Sequence, residues 1–180
     1  IQGWIRSGCI RGLILETDCS SWSRARHGPL GSNWGPIRSP SFPMGLNNLS
    51  ARDREKVRVG NLCCRQTVRS VISGLTANIP VLLENPIQSL FWQAPGVARL
   101  LRDSRCHIIT LDLCAFGPHW HKRTRVAIWN GPTTVPSRSG LLCRSRGGLC
   151  CFTGIPHRVL TDKDSQGKFH TKAAQAYPLA

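Results

Sequence analysis

The sequence predicts an α/β domain built on an open, mostly parallel sheet, and three observations carry that expectation. Short apolar runs at 13–17, 81–83, 107–113 and 125–129 have the length and composition of buried strands. Helical patterns lie between the first, second and third of these runs, as crossovers between parallel strands require. Only a turn-prone stretch around Phe116-Gly117-Pro118 separates the last two, which predicts an antiparallel pair at one end of the sheet. From Pro132 onward the pattern degrades into Gly, Ser, Arg and Cys. The expected division is therefore a sheet-bearing part, 1–131, and an irregular Cys/Arg/Gly-rich tail, 132–180.

The first run leaves into Asp18 and Cys19, and residues 27–47 then carry Gly28-Pro29, Gly35-Pro36, Ser39-Pro40 and Phe42-Pro43. Such punctuation predicts a long loop, and a loop that long in a compact domain is usually functional or disordered. Ser50 has the chemistry of a helix N-cap, with Asp53 three positions on as a weaker relative of the Ser-x-x-Glu box. Val57, Leu62, Val68, Val71, Ile72 and Leu75 form an approximate helical stripe, despite Gly60 and Gly74, until Pro80 stops it. Pro95 suits the first turn of a second helix carrying Val97, Leu100 and Leu101.

With 180 residues and 41% hydrophobic content, the chain can bury one sizeable core. Its 24 Lys+Arg against 9 Asp+Glu leave a net charge of +15, mostly on arginine. Arginine forks onto phosphate and guanine edges, so the expected partner is DNA, with RNA second and no role for a membrane. No apolar run approaches the roughly 20 residues that span a bilayer. The opening Ile1-Gln2-Gly3-Trp4 has neither an initiator methionine nor a secretory layout, so the chain is expected to begin inside a longer protein. Nine cysteines in that setting read as reduced thiols in an intracellular protein, nuclear or cytoplasmic and not secreted.

Three polar clusters sit beside the apolar runs, where open α/β sheets place their ligands. They are Asp18-Cys19-Ser20-Ser21-Trp22-Ser23, Glu84-Asn85-Pro86 and Lys122-Arg123-Thr124-Arg125. Taken together and in this order, they resemble the cytosine-5 DNA methyltransferases, whose motifs are Pro-Cys-Gln-x-aromatic-Ser, Glu-Asn-Val and Gln-x-Arg-x-Arg. Cys19, Trp22 and Ser23 fit the first motif, Glu84 and Asn85 the second, and Arg123 and Arg125 the third. Phe116-Gly117 precedes the arginines as an aromatic-Gly pair does in the family. The similarity spans residues 10–130, about the second half of such a catalytic domain.

The resemblance implies a partial Rossmann-like sheet of the class I methyltransferase type. It also implies covalent catalysis, because carbon 5 of cytosine is a poor nucleophile until a thiolate adds at carbon 6. Cys19 would supply the thiolate and Glu84 would hold and protonate ring nitrogen 3. Asn85 would position Glu84 and the nucleophile loop, and Arg123 and Arg125 would stabilise the activated ring and a nearby phosphate. The base would have to be flipped out or offered single-stranded. The methyl donor of an intact parent would be S-adenosylmethionine. Nothing before Ile10 matches the strand and Gly-rich loop that hold it, so this chain alone is expected to bind none and to transfer no methyl group. A missing N-terminal half or a partner chain would have to supply that site.

The departures are Asp18 for proline, Ser20 for glutamine, Pro86 for valine and His121 for the glutamine of the third motif. An adjacent carboxylate disfavours a thiolate, so Asp18 works against a nucleophilic Cys19. The competing expectation is a basic DNA- or RNA-binding module without catalysis, of a kind carried by mobile elements or viruses. For either, Trp22, Ser23, Arg24, Arg26, Arg38 and Lys122 are the expected nucleic-acid contacts, with Trp34 and Trp92 as base-stacking candidates and Arg52, Arg54, Arg58, Arg65 and Arg69 as phosphate contacts. In the tail, Cys143-x6-Cys150-x6-His157 could supply three zinc ligands, with Cys114 or His121 as a fourth and Cys151 alongside. That spacing matches no compact zinc signature, and buried or free thiols are the favoured reading.

Overall fold

The computed structural model describes residues 2–23, 35–131, 141–145, 147–158, 160 and 165. A short helix, α1 (Gln2–Arg6), comes first and buries Ile5; no apolar periodicity announces it. Strand β1 (Leu13–Glu16), helix α2 (Ala51–Thr76), strand β2 (Val81–Pro86) and helix α3 (Pro95–Leu100) follow, and then strands β3 (Cys106–Asp112) and β4 (Arg123–Trp129). Single 3-10 turns lie at Leu90–Gln93 and Leu113–Phe116. The sheet has the order β1-β2-β4-β3, so the last strand enters between its two predecessors. β1 and β2 are parallel, with Leu13 opposite Val81 and Glu16 opposite Glu84. β3 and β4 are neighbours at one end.

Local chemistry explains the longest element. The Ser50 hydroxyl accepts the Asp53 N–H at 3.1 Å and reaches the Asp53 carboxylate at 3.1 Å, satisfying an orphan donor of the first turn. At the other end Asn78 adopts φ 53°, a left-handed position that asparagine tolerates. The expected stripe is corrected at two places: Leu62 and Ile72 are 44% and 50% exposed. The face of α2 that packs inward runs instead through Val57, Gly60, Cys64, Thr67, Val71 and Gly74. Small residues at this three-and-four spacing let the helix lie close to the strands. A Cβ at Gly74 would strike the Val81 side chain, and one at Gly60 would strike the Ser21 hydroxyl.

Core residues come from one face of the sheet and the helices over it. Leu13, Val81, Leu83, Ala127 and Trp129 meet Val71, Leu75, Phe91, Val97 and Leu100. Burial along β2 alternates, with Val81, Leu83 and Asn85 inward. At the edge, Ile14 of β1 is 73% exposed.

The chain separates into two compact units. The first comprises residues 1–109 and 125–133, and the second residues 110–124 and 134–180. Among the described residues no helix is long and apolar enough to cross a membrane.

Candidate active-site rim and a cysteine-histidine cluster

Within the first unit, the parallel register of β1 and β2 sets the ends of both strands side by side. The Asn85 side chain, fully buried at the end of β2, donates from Nδ2 to the backbone carbonyl of Thr17 at 2.8 Å. This bond ties the Glu84-Asn85 pair to the turn that carries Cys19. The turn closes on itself, as the Trp22 and Ser23 N–H groups both donate to the Cys19 carbonyl, at 3.0 and 2.9 Å. Asp18 spends its two carboxylate oxygens on Ser20, accepting the backbone N–H at 3.0 Å and the hydroxyl at 2.6 Å. Such an Asx turn is what suits Asp18 to this position, since its side chain caps the backbone two residues on. Cys19 is half-buried.

The segment after β2 packs onto the same turn. The Leu90 N–H donates to the Trp22 carbonyl at 3.0 Å, and Phe91 meets the Trp22 ring edge-on at 5.7 Å. Trp92 donates its indole N–H to the Pro86 carbonyl at 2.9 Å, and the Arg125 guanidinium sits 5.4 Å from the Trp92 ring centre. Several polar atoms around this rim are buried with no hydrogen-bond partner among the described residues: Glu84 Oε1, Asn85 Oδ1, Arg125 Nε and Trp22 Nε1. Buried polar groups are normally satisfied, so each of these open atoms is exceptional, although Glu84 and Asn85, as neighbours in β2, face opposite sides of the sheet.

Two expected nucleic-acid contacts are corrected. Trp22 is wholly buried, and Arg38 is 1% exposed. The Arg38 guanidinium lies 3.5 Å over the Trp22 ring centre and spends its donors on Ser21 O and Oγ, Pro43 O, Asn61 Oδ1 and Val57 O. Burial lowers its pKa to about 10, with partial relief from Cys64. Arg38 is an internal clamp that fixes the Cys19 turn against α2, out of reach of phosphate. Trp92 is likewise packing, at 5% exposure. Ser23 and Lys122 are half-buried, and Arg24, Arg26 and Trp34 lie outside the described residues. Arg52, Arg54, Arg58, Arg65 and Arg69 are exposed along α2, although Arg58 is paired with Glu55 at 2.7 Å.

Arg123 belongs to the second unit and has a partner that sequence reasoning missed. Asp112, fully buried at the end of β3, accepts Arg123 Nε at 2.9 Å and Nη2 at 2.8 Å, a bidentate pair. The same carboxylate accepts the Cys143 N–H at 2.7 Å and lies 3.1 Å from His121 Nε2. Burial alone would raise the Asp112 pKa, but bonds from Arg123, the Cys143 N–H and His121 outweigh it and hold the carboxyl below its usual value. A lone aspartate in an apolar run was the available signal, since burial there demands a cationic partner.

The tail cysteines come together in this unit. The sulfurs of Cys114, Cys143 and Cys150 and a ring nitrogen of His157 all lie within 4.8 Å of one another. Cys151 stays outside: its side chain is exposed and its backbone N–H donates to the Cys143 sulfur at 3.4 Å. His121 stacks on His157 with ring centres 5.0 Å apart. None of the nine cysteines is in a disulfide. No family model matches the chain, and neither a curated protein nor a solved structure matches it.

Proposed function

We propose that this chain is the distal half of a cytosine-5 DNA methyltransferase-like domain, whose intact parent transfers methyl from S-adenosylmethionine to cytosine. The observation that carries the reading is the Asn85–Thr17 bond, because it does what the motif asks of its asparagine: it couples the Glu-Asn pair to the nucleophile turn. The strand order offers a second support, since class I methyltransferase sheets also insert their final strand between earlier ones. In this reading the Cys19 sulfur bonds to carbon 6 of an extruded cytosine while Glu84 delivers a proton to nitrogen 3. The ring electrons move to carbon 5, the atom that would take the methyl group. Arg125 would face the negative charge that builds on the ring or its phosphate. Arg123, held by Asp112, would act on the arginine segment's position.

The second reading is a basic module that binds DNA or RNA without chemistry. What favours it is Asp18 beside Cys19, together with the lack of a donor-binding Gly-rich loop among these residues. The exposed arginines of α2 would supply phosphate contacts in either case.

A single-stranded oligonucleotide carrying 5-azacytosine separates the two, because that ring traps a carbon 6 thioether without any methyl donor. Wild-type chain is expected to form an adduct stable to denaturing electrophoresis. Cys19→Ser should abolish it, and Asn85→Ala should slow it at least about tenfold. Salt-sensitive binding with no adduct would instead establish the binding module.

A further inference from the structure

We infer that Cys114, Cys143, Cys150 and His157 form a closed tetrahedral zinc site that orders the second unit. A tetrahedron with Zn–S bonds of about 2.3 Å has sulfur–sulfur edges of about 3.8 Å. The Cys143 and Cys150 sulfurs are 3.9 Å apart, and Cys143 Sγ is 3.8 Å from His157 Nε2. These separations are near twice a disulfide bond of about 2.05 Å, so the sulfurs stand at ligand spacing and not at bonding distance. The three cysteines are buried and His157 is half-buried, which leaves four protein donors and no open edge for a substrate water. That is the mark of a structural centre rather than a catalytic one. Three thiolates and one imidazole select zinc over calcium or magnesium, which take oxygen donors.

The surroundings are those of a thiolate site. The Cys151 N–H points at the Cys143 sulfur, and the peptide around Cys150 reverses through Gly154 at φ 71°, with the Gly154 N–H donating to the Cys150 carbonyl at 2.9 Å. Outside the ligands, Asp112 grips the Cys143 backbone with one oxygen and shares Arg123 and His121. Outer carboxylates of this kind hold ligands in place around a metal. The ion would therefore fasten residues 141–157 to the turn after β3, and through Asp112 it would set the position of Arg123. Cys114 reaches the cluster from a segment far from the tail ligands in sequence, which is why no compact zinc motif is visible.

The test uses the full chain, purified without a histidine tag under reducing conditions, then stripped and titrated with zinc. About one equivalent is expected to bind, with near-ultraviolet circular dichroism saturating at the same point. Cobalt in its place should give the intense visible bands of a tetrahedral site with sulfur-to-metal charge transfer. Cys114→Ser and Cys150→Ser should reduce bound metal to below about a tenth of an equivalent, whereas Cys151→Ser and Cys63→Ser should leave it unchanged. His157→Cys should keep the metal and strengthen the charge-transfer band, a result that global unfolding could not produce. No stoichiometric zinc in the wild-type chain, an octahedral cobalt spectrum, or equal loss in Cys151→Ser would overturn the site.

Discussion

Arg38→Ala is expected to destabilise the first unit by about 3–5 kcal/mol, a large part of the 5–15 kcal/mol typical of a domain. Among the described residues the buried guanidinium has no carboxylate partner and is held by carbonyls, a hydroxyl, an amide and the Trp22 face. Removing it strands acceptors at Ser21 and Pro43 at about 1–3 kcal/mol apiece and opens a cavity under the indole. Lysine would not rescue it, because one ammonium cannot span the separate directions that a planar fork serves. Urea midpoints check this, with Arg54→Ala as an exposed control expected within about 0.5 kcal/mol of wild type. An Arg38→Ala midpoint equal to that control would show that the clamp carries no load. The substitution should also loosen the turn bearing Cys19, since Ser21 and Trp22 lose their anchor.

Asp112→Ala is expected to cost about 2–3 kcal/mol in the second unit. Breaking a wholly buried ion pair costs about 3–5 kcal/mol, but Arg123 is 40% exposed and can turn to water. The Cys143 N–H cannot, so its lost acceptor makes up much of the remainder. Asp112→Asn retains an acceptor and should lose about half as much. Thermal melts in zinc-replete buffer would measure both, and equal losses for Asn and Ala would assign the whole effect to charge.

Elements with local causes were legible in the sequence. The apolar runs at 13–17 and 81–83, the Ser50 cap, Pro95 at a helix start and the turn at Phe116-Gly117 all carry their signals within a few residues. β3 and β4 begin one and two residues earlier than their apolar runs suggest. The face of α2 was harder to read, because it buries Gly60, Thr67 and Gly74 by close approach while leaving Leu62 and Ile72 outside. Hydrophobicity alone cannot report such packing.

At the candidate sites the same division holds. The Glu84-Asn85 cluster was expected just past a strand ending at Leu83, whereas β2 runs on through Pro86 and carries both residues, because the buried Asn85 amide finds a carbonyl partner that the sequence does not announce. Arg38 was misread because a guanidinium in a Gly/Pro-rich loop looks solvated, and only the tertiary arrangement supplies its carbonyl partners. The paired Cys143 and Cys150 were visible, but choosing Cys114 over His121 as the fourth donor needed the turn after β3 in place.

The claim at the centre is that the Cys19 sulfur and the Glu84 carboxyl act together on a cytosine ring, and hydrogen exchange at carbon 5 tests it without a methyl donor. Sulfur addition at carbon 6 turns the ring into an enamine; carbon 5 takes a deuteron from solvent, releases its original proton, and elimination of the sulfur restores the base. In deuterated buffer, single-stranded DNA with wild-type chain is expected to exchange at least about a hundredfold faster than with Cys19→Ser or Glu84→Gln. Equal exchange by the wild type and both variants would contradict the account.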